Sequence, residues 1–144
     1  ACREREPCQM EDDRTPLSPR FRELDGLVIA TPVMTMGIPG KLKSLMDRFQ
    51  VFFMAKYMRR MPLVPKEKRN TRLCLFIAIS GMKVPGVFDG VKKTLAAFLD
   101  IIDCRSFGEI LVPGMDTIRD IRTRPEILDQ AYRKGFELGS ALRP

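Results

Sequence analysis

The chain has 144 residues, 44% of them hydrophobic and 30% charged, with a formal net charge of +7 and no histidine. That length holds one domain of ordinary size, and the composition is that of a soluble globular protein. The missing histidine excludes His-based triads, His-ligated zinc and a His general base, so any chemistry comes from carboxylates, Lys, Cys, hydroxyls or a bound cofactor. No apolar run reaches the roughly 18 residues that span a bilayer. No signal peptide is visible at the start, so a cytoplasmic setting is expected. The first residue is Ala rather than Met, which suggests a processed chain or a fragment.

Residues 1–14, "ACREREPCQMEDDR", are polar and aperiodic and read as loop. A short helix is expected within 15–24, with Ser18 able to cap it and Pro19 suited to the first helical position. "DGLVIATP" follows, a continuous apolar run from Leu27 to Ala30 behind a turn signal. This is the pattern of a strand buried on both faces in a parallel sheet. A helix over 39–54 keeps Leu42, Leu45, Met46, Phe49, Phe52 and Phe53 at helical spacing. Residues 55–71 form a basic loop with Pro62 and Pro65. "RLCLFIAIS", 72–80, is a second unbroken apolar strand.

"GMKVPG" then turns the chain into a helix over 87–103, with Phe88, Val91, Leu95, Phe98, Leu99 and Ile102 on one face. "SFGEILVP", 106–113, is the third strand and "GMDTIRDIRTR" a loop. The last helix covers 125–142, with Leu128, Ala131, Tyr132, Gly135, Leu138, Gly139 and Leu142 in register. The strand–helix alternation predicts an α/β domain with a parallel sheet and right-handed crossovers. No internal repeat or domain boundary is evident.

In open parallel sheets, ligands bind outside the carboxyl ends of the strands. Two such ends carry unusual residues. After the first strand come Thr31, Pro32, Val33, Met34, Thr35, Met36 and Gly37; after the second come Ser80, Gly81, Met82 and Lys83. Glycine lets a backbone approach a ligand and aim N–H groups at it, and methionine offers a polarizable wall for a flat aromatic ring. Backbone donors between apolar walls suit an isoalloxazine, whose edge is rich in acceptors. Proline and glycine also turn strands into helices with no ligand involved, and on pattern alone that plainer reading is the more economical one.

The segment "DGLVIATPVMTMGIPGKLKSLMDR" resembles the flavin-binding segment of the NADPH-dependent FMN reductase and iron–sulfur flavoprotein families, which are flavodoxin-like. The matching positions are Asp25, Gly26, Pro32, Val33, Pro39, Leu42, Lys43, Asp47 and Arg48; Met34 stands where the family usually has Tyr. The resemblance implies a flavodoxin-like parallel sheet with helices on both faces. It also implies that the three strands are the last three of five. The first two, with the loop that cradles the FMN phosphate, would be missing, and residues 1–144 would be the C-terminal portion of a single flavodoxin-like domain. A homo-oligomer is expected on the same ground.

"CREREPCQMEDD" resembles the end of the iron–sulfur flavoprotein cysteine cluster. Cys2 and Cys8 would then be two ligands of a [4Fe–4S] cluster in the intact protein, with Asp12 and Asp13 as the acidic pair that follows. Four thiolates normally hold such a cluster, so two would lie elsewhere. Cys74 and Cys104 sit in apolar segments and read as inert core thiols.

Between 56 and 72, seven basic residues face one acid, Glu67, which accounts for most of the net charge. The plain reading is a solvated loop. The sharper one is a lid over the flavin that attracts NAD(P)H phosphates or an acidic redox protein. Nucleic acid is not expected, because Tyr57 is the only aromatic beside the charge.

The function expected is therefore an FMN-dependent oxidoreductase. It would pass electrons or hydride from NAD(P)H or a ferredoxin-type donor to an acceptor such as a quinone, without a catalytic side chain. The partners would be a small-molecule acceptor or a redox protein, with no membrane. The alternatives are a non-enzymatic flavodoxin-like carrier and a cofactor-free interaction domain.

Overall fold

Two continuous apolar runs and a third, more polar segment become three parallel strands, because a segment without a polar face is best buried between helices on both sides of a sheet. The computed structural model describes residues 12, 15–69 and 71–142. Strands β1 (Gly26–Pro32), β2 (Leu73–Ile79) and β3 (Arg105–Val112) lie in the order β1-β2-β3, both pairs parallel. Ile29 faces Phe76, which faces Glu109; the register slips between Cys74 and Leu75, so that Phe107 has no partner in the β2 ladder. The order is that of the last three strands of a 2-1-3-4-5 sheet.

The helices are α1 (Leu17–Glu23), α2 (Gly40–Arg48), α3 (Gln50–Tyr57), α4 (Lys66–Arg69), α5 (Asp89–Ile101), α6 (Met115–Ile118) and α7 (Pro125–Ala141). A 3-10 turn, Ile121–Thr123, precedes α7. The cap of α1 is Pro16 rather than Ser18. Ser18 and Pro19 thus lie inside its first turn, where a missing N–H costs nothing.

The single helix expected over 39–54 is two. Phe49 breaks it (φ −78°, ψ 1°), and its N–H bonds Met46 O at 3.0 Å. The break turns Phe49 fully inward. Its ring meets Phe21 at 4.5 Å and both Phe52 and Phe98 at 5.3 Å. Burial of each such ring contributes about 2–3 kcal/mol, so the cluster repays the interrupted helical ladder.

One face of the sheet, with Leu27, Ile29, Cys74, Phe76 and Ala78, packs on this aromatic cluster and on Val91, Leu95 and Leu99 of α5. The other face, with Leu73, Leu75, Ile110 and Val112, packs on Leu138 and its neighbours in α7. Helices therefore lie on both faces, as expected. The second face is covered over β2 and β3; over β1 it is covered at Gly26, where Leu142 packs, but not at Val28, which is 53% exposed. Lys134 of α7 lies over Phe107 and Gly108 of β3. Helical spacing then puts the opposite flank, with exposed Leu128, Tyr132 and Phe136, on the β1 side.

Candidate functional site

The loops that leave β1 and β2 meet at the carboxyl edge of the sheet, where parallel strand dipoles and helix starts leave room for a ligand. Past Pro32, Val33 extends the ladder by donating to Ile79 O at 2.7 Å. Met34 and Gly37 then exchange two hydrogen bonds of 2.9 Å, closing a tight turn whose central residues are Thr35 (φ 50°) and Met36 (φ 61°). Both central residues are left-handed, as a type I′ turn requires, and neither is glycine. Such residues cost about 1 kcal/mol or more each and persist only where the surroundings hold them. The clamp is Gly90: a Cβ there would lie 2.2 Å from Met36 O.

Beyond β2, Ser80 donates to Val112 O at 2.8 Å. The carbonyls of Ser80, Gly81 and Met82 accept from Met115 (2.9 Å), Asp116 (3.2 Å) and Gly114 (3.2 Å). The loop after β3 is thereby tied to the loop after β2, with Gly114 left-handed at φ 82°. At Gly81 a Cβ would meet the Asp116 carboxylate at 2.4 Å, so a side chain there would displace that carboxylate.

These loops enclose an open cavity of about 430 Å³, within the range of small-molecule sites. Pro32, Val33, Met34, Thr35, Met36, Ser80, Gly81 and Met82 line it, as sequence reading expected of a binding site. Thr31 does not; it is buried below, its hydroxyl donating to Pro32 O at 3.0 Å. Gly37 closes the turn from behind. Lys83 points away, into a neighbouring groove of about 450 Å³ between Val84, Phe88, Lys92 and Leu111, and lies against Gly114.

Sequence reading missed Met115, Asp116 and Arg119, which complete the wall. The signal was available: "VPGMD" stands at the carboxyl end of the third strand and is subject to the same topological rule. The cavity is thus walled by four methionines, with one anion, Asp116, and one cation, Arg119. Among the described residues, the N–H groups of Thr35, Met36, Gly81 and Met82 donate no hydrogen bond.

The basic segment is not a lid. It joins α3 to β2 at the amino ends of the strands, opposite the cavity. Lys56 bonds Asp100 (2.9 Å) and Asp103 (3.0 Å), which end α5. Arg72 is fully buried and donates to the carbonyls of Leu24 (3.0 Å), Ile102 (2.7 Å) and Phe21. Lys56 and Arg72 thus serve packing at the edge opposite the cavity.

Cys2, Cys8 and Asp13 lie outside the described residues; among those described, no three His, Cys, Asp or Glu side chains converge on a metal position. Cys74 and Cys104 are buried, and burial pushes their thiols up to about 12 and about 11. They are inert core thiols, as expected. No described helix is long and apolar enough to cross a membrane.

A parallel sheet in this order with helices on both faces is of the flavodoxin-like class. Two solved structures share the fold. The Trp repressor binding protein of Bacillus subtilis superposes with a TM-score of 0.59 at 21% identity, over 85% of this chain and 75% of that one. An FMN-dependent NADH-azoreductase from Bacillus anthracis, solved with FMN, gives 0.58 at 18% identity, over 90% and 61%.

The chain belongs to the NADPH-dependent FMN reductase family, whose model matches residues 1–89. An iron–sulfur flavoprotein of Archaeoglobus fulgidus is 32% identical over 98 residues, 68% of this chain and 46% of that protein. One from Methanosarcina thermophila is 38% identical over 48 residues, 33% of this chain and 25% of that protein. The chain therefore aligns with less than half the length of either curated relative.

Proposed function

We propose that this chain binds the isoalloxazine ring of FMN at the carboxyl edge of its sheet and serves an oxidoreductase. The observation that carries the reading is the set of unused N–H donors on Thr35, Met36, Gly81 and Met82 around one methionine-walled cavity. Donors with no partner suit the acceptor-rich edge of the ring, and thioethers suit its faces. Bound FMN would supply reversible two-electron chemistry; the protein positions it and excludes competing reactions. Met34 and Met82, both half-exposed, would flank the ring, and the Arg119 guanidinium in the cavity wall would favour a reduced, anionic flavin.

The donor in this reading is NAD(P)H or a ferredoxin-type protein and the acceptor a small molecule such as a quinone, in a cytoplasmic homo-oligomer. Cys2 and Cys8 would contribute two of the four thiolates of a [4Fe–4S] cluster. The flavodoxin-like domain would be completed along β1. Val28, half-exposed on β1, supports that arrangement, since an apolar edge strand without a neighbour invites pairing. In the protein as it occurs in the cell, the outward amides of β1 are then expected to exchange slowly with deuterium. Fast exchange there would refute completion.

The functional test adds FMN to the full chain under anaerobic conditions and then mixes in NADH or NADPH. Saturable flavin binding followed by bleaching supports an NAD(P)H-linked enzyme. Bound flavin that bleaches only with a reduced ferredoxin-type donor supports the other donor class or a non-enzymatic carrier, and bound flavin that no donor reduces excludes both donor classes. A chain that binds no flavin refutes the assignment.

A further inference from the structure

Among the described residues, Asp116 is the one carboxylate lining the cavity. It is exposed, and it takes part in no salt bridge or side-chain hydrogen bond among the described residues. Its place is held by backbone: its N–H donates to Gly81 O at 3.2 Å, and its neighbour Met115 donates to Ser80 O at 2.9 Å. Its two oxygens lie over Gly81, at 2.4 and 2.6 Å from where a Cβ would stand. The backbone of Asp116 is therefore fixed, and its carboxylate stands over Gly81, on the loop whose Gly81 and Met82 N–H groups are unused.

The cavity wall thus reads donor and acceptor side by side. The carbonyls of Ser80, Gly81 and Met82 each already accept a backbone bond, and on this side of the cavity the Asp116 carboxylate is the strongest acceptor left. A complementary ligand edge presents an N–H beside a carbonyl oxygen. The pyrimidine edge of an isoalloxazine does so, with one imide N–H (N3) between two carbonyls.

Resting on the flavin reading above, the geometry points to Asp116 as the residue that accepts the imide N–H and sets the orientation of the ring, with Gly81 and Met82 donating to the flanking carbonyl. A hydrogen bond to a charged acceptor contributes about 1.5–3 kcal/mol in proteins. Its loss corresponds to roughly 10-fold or more in dissociation constant. A cavity that recognised the ring only by its apolar walls would not distinguish the imide N–H from an N-methyl group placed there, beyond the room the methyl needs.

The experiment titrates the full chain, and its Asp116→Asn and Asp116→Ala variants, with riboflavin and with N3-methylriboflavin, following flavin fluorescence. Circular dichroism checks that each variant is folded. The unchanged chain is expected to bind riboflavin about 10-fold or more tightly than the N3-methyl compound. Asp116→Ala is expected to bring the two ligands within about 3-fold by weakening riboflavin, and Asp116→Asn, which keeps an acceptor oxygen, to restore part of the preference.

Equal binding of both ligands by the unchanged chain overturns the inference and leaves the flavin reading standing. So does a preference that survives in Asp116→Ala, because the methyl is then excluded by shape. A chain that binds neither ligand removes the flavin reading, and this inference with it.

Discussion

Gly90→Ala tests whether the turn that carries Thr35 and Met36 is braced by α5. The added Cβ would stand 2.2 Å from Met36 O, a backbone atom with no rotamer to relieve it. Reaching ordinary contact requires roughly 1 Å of movement, and close-packed interiors pass such shifts on rather than absorb them. Overpacking of this kind costs about 1–3 kcal/mol. Replacing glycine in the first turn of α5 returns less than about 1 kcal/mol. A net loss of about 1–2 kcal/mol is expected, or a fall of several degrees in Tm.

The shift also carries the Thr35 and Met36 N–H groups away from the cavity, so flavin affinity is expected to drop on the order of 10-fold. Thermal unfolding and fluorescence titration read the two effects separately. Gly135→Ala and Gly139→Ala are the controls: nothing lies within 4 Å of either Cβ, and both positions are helical. Each is expected to gain about 0.5–1 kcal/mol. If Gly90→Ala melts and binds like the unchanged chain, the brace does not exist and the strained turn is held by something else.

Arg72→Ala removes the guanidinium that closes the ends of α1 and α5 over the start of β2 and leaves the carbonyls of Phe21, Leu24 and Ile102 without it. A loss of about 3 kcal/mol or more is expected, read as a lower urea midpoint; a change below about 0.5 kcal/mol would contradict the burial argument. Cys74 and Cys104 set an alkaline limit. Burial raises both thiols in the folded chain, to about 12 and about 11. The unfolded chain therefore ionises first, and the stability they contribute is full below their ordinary value of about 8.5 and is lost as pH rises toward 11–12. Urea midpoints falling between pH 9 and 11, and flat in a Cys74→Ala, Cys104→Ala double variant once other titrations are subtracted, confirm it. At pH 8 iodoacetamide is expected to label neither residue until the chain unfolds.

The three strands could be read from the chain because "GLVIA", "LCLFIAI" and "FGEILV" carry their own evidence: apolar side chains on both faces have no stable place except inside a sheet. The two loops at the carboxyl edge were legible for a related reason, since chain order alone says which end of a parallel strand its exit loop occupies. The core thiols followed from the segments that hold them.

Other features required the third dimension. The break at Phe49 is invisible to helical period, because Phe49 satisfies the period; it is the ring packing with Phe21, Phe52 and Phe98 that pulls it inward. The charge of residues 56–72 was plain, but its destination was not. Only the crossover from α3 to β2 places it at the amino edge, where Asp100, Asp103 and three carbonyls use Lys56 and Arg72. Lys83 lines the neighbouring groove while Asp116 and Arg119 line the cavity, for the same reason. A residue's distance along the chain says which loop it occupies, whereas the bonds between the loops after β2 and β3 decide which side chain turns into the cavity. Composition and period settle what a segment must bury; they carry no term for contacts between segments far apart in sequence, and those contacts built the site.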